Sequence, residues 1–459
     1  MTNLAAILSL FFIVATALFL YKKYNPQGVL IFSGVLMFFA AFVLGTHLIE
    51  LQKPTGSTFF DLFKAVDEGF ISNLTRAGFM IMTIGGYVAF MNKIQATNAL
   101  VYISMKPLAI FRKYPYLASA ITIVIGQMLF ITTPSAAGLG LLLVASVYPI
   151  LVNLGVSRLT ALSVISASTI FDQGPGSANT ALAAQLIEKS NVYYFLTHQI
   201  PLVIPTTIVV IILYYFNNRY FDKKDKLKGN QDNSLIITSD FKVEAPLIFA
   251  ILPMLPLIIL ILFSPYIKLF NPPITIDTTT AMMASLFVSL LFLLVYKRSL
   301  KKVFDSFSAF WKGMGEVFST VVTLIVAAEI FSKGLIYLGF IDTLVNVSTH
   351  LGLSGVVISV LIAVLLFFAA MLMGSGNAAF FSFGPLMPAI ATKLSMSSVS
   401  MILPMQLCAS MGRATSPIAG IIVAIAGVAG VSPIELAKRN TIPLIGGMLF
   451  MLTYHFLTL

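Results

Sequence analysis

Long apolar runs broken by short polar notches set the pattern of this chain. Residues 4–21, 28–45, 77–92, 195–216, 245–263, 278–296, 314–331 and 442–453 are runs of this kind. Most of them are long enough to cross a hydrocarbon core of about 30 Å as helices. Residues 59–70 differ. Asp61, Lys64, Asp67 and Glu68 alternate with aromatics there, which predicts an amphipathic helix at the membrane interface. Residues 304–310 predict a second helix of that kind.

The notches carry more information than the runs. Met373-Gly374-Ser375-Gly376-Asn377-Ala378-Ala379-Phe380 interrupts one of the most apolar parts of the chain. Backbone at membrane depth must satisfy its own hydrogen bonds. Irregular structure survives there only inside protein or against a water-filled cavity. The notch therefore predicts the tip of a re-entrant hairpin over 356–392. A matching notch, Thr132-Thr133-Pro134-Ser135-Ala136-Ala137-Gly138, predicts a hairpin over 116–153. Its first arm, 116–131, would reach only roughly 24 Å as a straight helix. Two further helices break in the same way. Residues 157–188 break at Asp172-Gln173-Gly174-Pro175-Gly176-Ser177-Ala178-Asn179-Thr180, where two glycines and a proline exclude regular helix. Residues 397–430 break at Gly412-Arg413-Ala414-Thr415-Ser416-Pro417.

The order of elements repeats. Residues 1–216 and 244–459 each read as two spans, an interfacial helix, a span, a hairpin, a broken helix and a closing span. Phe60, Asp61, Phe63, Ala65 and Gly69 match Phe304, Asp305, Phe307, Ala309 and Gly313 in order. Pro175, Ala184, Ser190 and Ile200-Pro201-Leu202 match Pro417, Ala426, Ser432 and Ile442-Pro443-Leu444. The polar stretch 217–243 links the halves. The fold class expected is an all-α polytopic membrane protein of two inverted repeats. It has about ten spans, two opposed hairpins and two broken helices, following the repeat logic of transporters.

Charge then sets direction. If Lys22-Lys23 is cytoplasmic, alternation also places Arg112-Lys113, Arg158, Lys223-Lys224, Lys297-Arg298, Lys301-Lys302 and Lys438-Arg439 inside, as the positive-inside bias requires. The linker is then cytoplasmic and both termini are periplasmic. Hairpin one comes from the cytoplasm and hairpin two from outside, so their tips meet near the midplane.

Composition agrees with this class. The chain has 459 residues, of which 58% are hydrophobic and 10% charged, and its mean hydropathy is +0.96. The net charge of +11 lies in short loops beside apolar runs, which fits a bilayer and not a nucleic acid as partner. A single cysteine, Cys408, excludes an intrachain disulfide, and four histidines scattered along the chain argue against a zinc site. Residues 4–20 have no basic residue before them, and they read as a first span and not a cleaved signal. No GxxxxGK[ST], HExxH or GxSxG occurs. That leaves a secondary transporter ahead of an ATP-driven pump or an intramembrane enzyme, with no cofactor. A channel is the remaining rival.

The candidate site comes from the notches. Thr133 and Ser135 at tip one, and Ser375 and Asn377 at tip two, offer hydroxyls and an amide beside half-helix N-termini, which attract anions. Small residues that merely permit close packing are the alternative. Arg413 at the second break has a planar fork suited to a carboxylate. Otherwise it snorkels to an interface or pairs with Asp172 or Glu329. Asp172 at the first break either carries a coupling ion (H+ or Na+) or neutralises Arg413. Ser177 and Asn179 on one side, and Thr415 and Ser416 on the other, complete a polar ring, although helix capping also places Ser and Asn there. Glu329 has Lys333 four residues on, so a helical ion pair competes with a coupling role.

With these motifs in place, the chain resembles the DcuC/DcuD family of anaerobic four-carbon dicarboxylate carriers along nearly its whole length. The most specific stretches are VVTLIVAAEIFSKG from Val321, MGSGNAAF from Met373, and the segment from Arg413 to Pro443. The resemblance implies a bacterial inner-membrane carrier of fumarate, succinate, malate or aspartate. It also implies the architecture of the wider ion-transporter superfamily, in which a scaffold holds a moving domain with two opposed hairpins. A carrier of amino acids or short fatty acids on the same fold is the nearest rival, and a homo-oligomer is left open.

Overall fold

Two long helices, Thr58–Lys93 and Leu300–Tyr337, form the spine of the molecule. The structure is a computed structural model. It describes residues 2–45, 51–111, 113–227, 243–265, 267, 270 and 274–458. Each spine helix joins an amphipathic half to an apolar half that the sequence reads as separate elements. The joints are single π turns, Leu74–Gly78 and Phe318–Val322. A π turn inserts one residue into the helical ladder, which re-aims the face that follows without ending the helix. The amphipathic segments expected over 59–70 and 304–310 are helical, as expected, and run without a break into the spans that follow them.

The spine helices meet at small residues. A Cβ on Gly313 would lie 2.7 Å from the carbonyl oxygen of Gly85 and 2.5 Å from the Ala89 Cβ. Gly334 and Gly34 bring Leu300–Tyr337 equally close to the helix Pro26–Leu44. Lipid supplies no hydrophobic drive between helices, so close backbone approach is what holds such crossings together.

The two halves carry the same parts in the same order. Hairpin one is Pro115–Thr132 followed by Ala136–Ser146 and Tyr148–Asn153. Hairpin two is Gly355–Met373 followed by Gly376–Phe383 and Met387–Lys393. The broken helices are Arg158–Ala167 with Ala178–Leu186, and Ser398–Ala414 with Gly420–Ala429. Asn191–Asp225 and Pro433–Thr458 close the halves. Ala96–Met105 and Phe340–His350 are a further matched pair that the sequence pattern did not separate. The repeat reaches down to single turns. Glu188 N–H donates to Gln185 and Lys189 N–H to Ala184; Gly430 N–H donates to Gly427 and Val431 N–H to Ala426.

Eight helices among the described residues are long and apolar enough to cross a membrane. Shorter apolar helices, Ile7–Tyr21 and Leu247–Leu262, open the two halves. Together they agree with an all-helical, multi-pass membrane protein of about ten spans. The linker expected over 217–243 begins later than its composition suggests, because the helix Ile200–Leu227 continues through Asn217. Residues 228–242 and Arg112 lie outside the described residues.

Each hairpin leans on the helix that precedes its own break. Pro115–Thr132 meets Arg158–Ala167 where Gly126 faces Ser168, and Gly355–Met373 meets Ser398–Ala414 where Gly412 faces Phe367. A Cβ on Gly412 would stand 2.1 Å from the Phe367 carbonyl oxygen, a rigid neighbour. Gly412→Val should therefore cost about 3 kcal/mol or more through overpacking. The expected result is loss of the monodisperse peak in detergent size-exclusion chromatography, with Gly420→Val, which faces open space, as the tolerated control.

Candidate functional site

The tips and breaks form four half-helix ends. Ser135 caps Ala136–Ser146 by accepting from Gly138 N–H at 3.3 Å, and Ser375 caps Gly376–Phe383 by accepting from Ala378 N–H at 3.1 Å. Ser177 caps Ala178–Leu186 by accepting from the N–H groups of Asn179 and Thr180. Gly374 ends the first arm of hairpin two in the left-handed region, at φ 71°, and its Cα side is packed on Ile418. No residue with a side chain fits both conditions easily. The notch first noticed in the sequence is thus a left-handed stop followed by an N-cap.

Each tip sits on the break of its own half. Gly376 packs on the backbone of Ala409 and Ser410, while Gly174 and Gly176 pack on Ile131 of hairpin one. Thr133 is buried at the end of Pro115–Thr132, and its carbonyl accepts from Ser135 N–H at 2.7 Å. Half-buried Asn377 lies in the first turn after tip two, and its side chain has no protein partner among the described residues.

The two breaks then meet. Asp172 is 8% exposed. Its carboxylate accepts from Ser177 Oγ at 2.6 Å and from Asn179 Nδ2 at 3.1 Å. Its main-chain carbonyl accepts from Gln406 Nε2, across the repeat boundary, at 2.9 Å. Arg413 donates through Nη2 to the Thr169 carbonyl, just before the first break. Arg413 and Asp172 are near enough for their charges to interact but form no ion pair among the described contacts. Arg413 thus reaches into the first break through Thr169 and is not directly paired with Asp172 among the described residues. Thr415 and Ser416 are buried beside it. Thr415 Oγ1 donates to the Gly412 carbonyl, and Ser416 Oγ accepts from Ile418 N–H.

Glu329 stands apart from this cluster. It accepts from Lys333 at 2.7 Å and from Asn73 Nδ2, and it lines a cavity that contains neither Asp172 nor Arg413. The helical ion pair weighed in the sequence is the arrangement present. A narrow crevice beside tip one is walled by Thr132, Pro134, Pro175 and Gly176 on one side. Tyr87, Pro253, Pro256 and Met282 stand on the other. It is a largely apolar seam between tip one with the first break and the helices Thr58–Lys93, Leu247–Leu262 and Thr278–Lys297.

The profile of the C4-dicarboxylate anaerobic carrier family, DcuC, matches residues 4–459. The chain belongs to that family. Its relatives include the anaerobic C4-dicarboxylate transporter DcuC of Escherichia coli K12. That protein is 30% identical over 453 residues, which cover 98% of this chain and 96% of the relative. The probable anaerobic C4-dicarboxylate transporter DcuC of Vibrio cholerae is 31% identical over 439 residues, covering 95% and 93%. Among solved structures, the YdaH transporter of Alcanivorax borkumensis matches with a TM-score of 0.64 at 14% identity, over 94% of this chain and 98% of its own. Neisseria gonorrhoeae MtrF, described with a class of antimetabolite efflux pumps, matches with a TM-score of 0.60 at 14% identity, over 96% and 97%. These two share the fold. As a DcuC-family member the chain belongs with transporters and not enzymes.

Several residues of the centre escape a reading by notches. Gln406 sits inside an apolar helix, and its Oε1 also accepts from Tyr194 OH at 3.0 Å. Gln199 Oε1 accepts from Gly174 N–H at 3.1 Å and holds the first break loop. Asn440 donates to Ser166 Oγ and to the Ala414 carbonyl, stitching the last helix to both breaks. Of the three, Gln406 alone is an amide inside an apolar run, the one signal the sequence carried. Three buried amide oxygens, on Gln173, Asn179 and Asn440, have no partner among the described residues.

Proposed function

We propose that this protein is a secondary carrier of four-carbon dicarboxylates (succinate, fumarate, malate and aspartate) across the bacterial inner membrane. Transport proceeds by proton-coupled symport, efflux or exchange. The observation that carries the reading is the meeting of two helix breaks. One brings Arg413, the other Asp172, and four half-helix ends surround them. A guanidinium and capped N-termini favour carboxylates, and helix ends inside a membrane protein are where such ligands are held.

In this reading one carboxylate meets Arg413, Ser375 and Asn377. The other meets Thr133 and Ser135, with Ser177, Asn179, Thr415 and Ser416 shaping the space between. Asp172 is the coupling group. Its carboxylate takes up H+, or together with the unpartnered amide oxygens of Gln173 and Asn179 it coordinates Na+. Hairpins and breaks move together past the spine, along the apolar seam at tip one. N- and C-termini face the periplasm, as the basic clusters require.

Labelled-succinate counterflow in proteoliposomes tests this. Saturable exchange competed by fumarate and malate is expected. If succinate neither exchanges nor competes while an amino acid or short fatty acid does, the dicarboxylate reading fails. Asn377→Ala should raise the KM for succinate about tenfold, as expected for losing one hydrogen bond to a charged group. An unchanged KM would remove tip two from the site.

A further inference from the structure

Gln406 lies in the middle of Ser398–Ala414, fully buried, and uses both ends of its amide. Its Nε2 donates to the main-chain carbonyl of Asp172 at 2.9 Å, and its Oε1 accepts from Tyr194 OH at 3.0 Å. A carbonyl only accepts, so the NH2 group faces Asp172 and the amide oxygen faces the phenol. The amide cannot turn over without losing both bonds. Buried polar groups left unsatisfied are costly, so the link is held in one geometry.

Two helices grip the main chain of the first break. From Ser398–Ala414, Arg413 donates to the Thr169 carbonyl and Gln406 to that of Asp172. From Asn191–Asp225, Gln199 accepts from Gly174 N–H and Asn191 donates to the Pro175 carbonyl. Gln406 and Arg413 stand about two helical turns apart and so share a face. Among the described residues, Gln406 is the one of these four that also bonds the opposite gripping helix, through Tyr194. Asp172 ties this grip to its own charge. Ser177 Oγ lies 2.6 Å from the Asp172 carboxylate and 3.4 Å from the Asp172 main-chain carbonyl. The hydroxyl has a single proton to donate. An ion that neutralises the carboxylate weakens the first bond and frees that proton for the second, on the carbonyl that Gln406 holds. Arg413 is the charged group near enough to act on Asp172.

We propose that Gln406 is a positioning residue for coupled transport. It carries the state of the ion site at Asp172 to Arg413 along the same helix, and to the closing helix through Tyr194. The proposal rests on the reading of Asp172 as the coupling group and Arg413 as the substrate group, and it adds the link between them.

The test is the succinate ratio reached at steady state in proteoliposomes of the full-length protein, with the membrane potential clamped at zero. A gradient of H+, or of Na+ in separate vesicles, drives it. This ratio is a thermodynamic limit, so a merely structural defect slows the approach to it and leaves its value unchanged. With an ion gradient of about tenfold, wild type should concentrate succinate about tenfold for each ion coupled, and Asp172→Asn should not concentrate it. Gln406→Met keeps the volume and removes both bonds. It should reach no more than about twofold, because ion and succinate then slip past each other. Tyr194→Phe removes a single hydroxyl and should fall between wild type and Gln406→Met. A wild-type ratio in Gln406→Met, or in Tyr194→Phe where Gln406→Met does not fold, overturns the link and leaves the Asp172 reading intact. No accumulation by wild type under either gradient, or full accumulation by Asp172→Asn, overturns that reading and the link with it.

Discussion

Arg413→Lys is expected to cut succinate counterflow about 100-fold at normal expression, the loss of up to two charge-assisted hydrogen bonds. The guanidinium donates one N–H to the Thr169 carbonyl, and the rest of its fork has no hydrogen-bond partner among the described residues. Lysine keeps the charge but presents a single point. It cannot hold the Thr169 carbonyl and also meet both oxygens of a carboxylate in one plane. Thr169 is fully buried just before the first break, so its anchoring by Arg413 also fixes how the two breaks face each other. Counterflow at a series of succinate concentrations checks this. Wild-type kcat/KM in Arg413→Lys would show that the charge alone suffices or that the substrate is held elsewhere.

A second large effect is expected far from the breaks. Arg439→Ala should destabilise the protein by about 3–5 kcal/mol, the cost of leaving a buried partner charge unpaired. Arg439 and Asp222 are each 2% exposed, and Nη1 lies 2.5 Å from Asp222 Oδ1. Nη2 reaches Asp225 at 2.6 Å. Ser157 Oγ and Thr160 Oγ1 donate to the same Asp222 oxygen, and Tyr116 OH reaches its other oxygen. This cluster clamps the base of hairpin one, the start of the first broken helix and the two closing helices. Replacing both charges by apolar residues should cost less than removing one. Cys408, the single cysteine and fully buried, is a built-in reporter, because a thiol-reactive dye labels it only on unfolding. If Arg439→Ala melts with wild type, the cluster is not a clamp.

Arg439 also shows where sequence reading reaches its limit. Lys438-Arg439 looks like one more basic pair beside an apolar run, and the positive-inside rule absorbs it without remainder. Only the packing of Ile200–Leu227 against Pro433–Thr458 shows that Arg439 faces inward onto Asp222. The π turns were hidden for a similar reason. Asn73 and Arg76 look like a polar gap between two helices, yet the backbone carries on through them. By contrast, tip two was legible because its residues act locally. Gly374 takes the left-handed stop and Ser375 takes the cap, and neither needs a distant partner. The repeat was legible because short matches in one order survive divergence. Glu329 was legible as an ion pair from its spacing to Lys333, but its contact with Asn73 depends on tertiary packing. Gln406 and Asn440 were passed over because an amide within a helix declares its importance only when its partner across the repeat boundary is known.

The most direct test of the dicarboxylate site is a cryo-electron microscopy map of the protein in nanodiscs with saturating succinate. The expected result is ligand density against the Arg413 guanidinium, bounded by the Ser375–Asn377 tip and the Asp172 break. Density elsewhere, with the space around Arg413 filled only by protein, would contradict it.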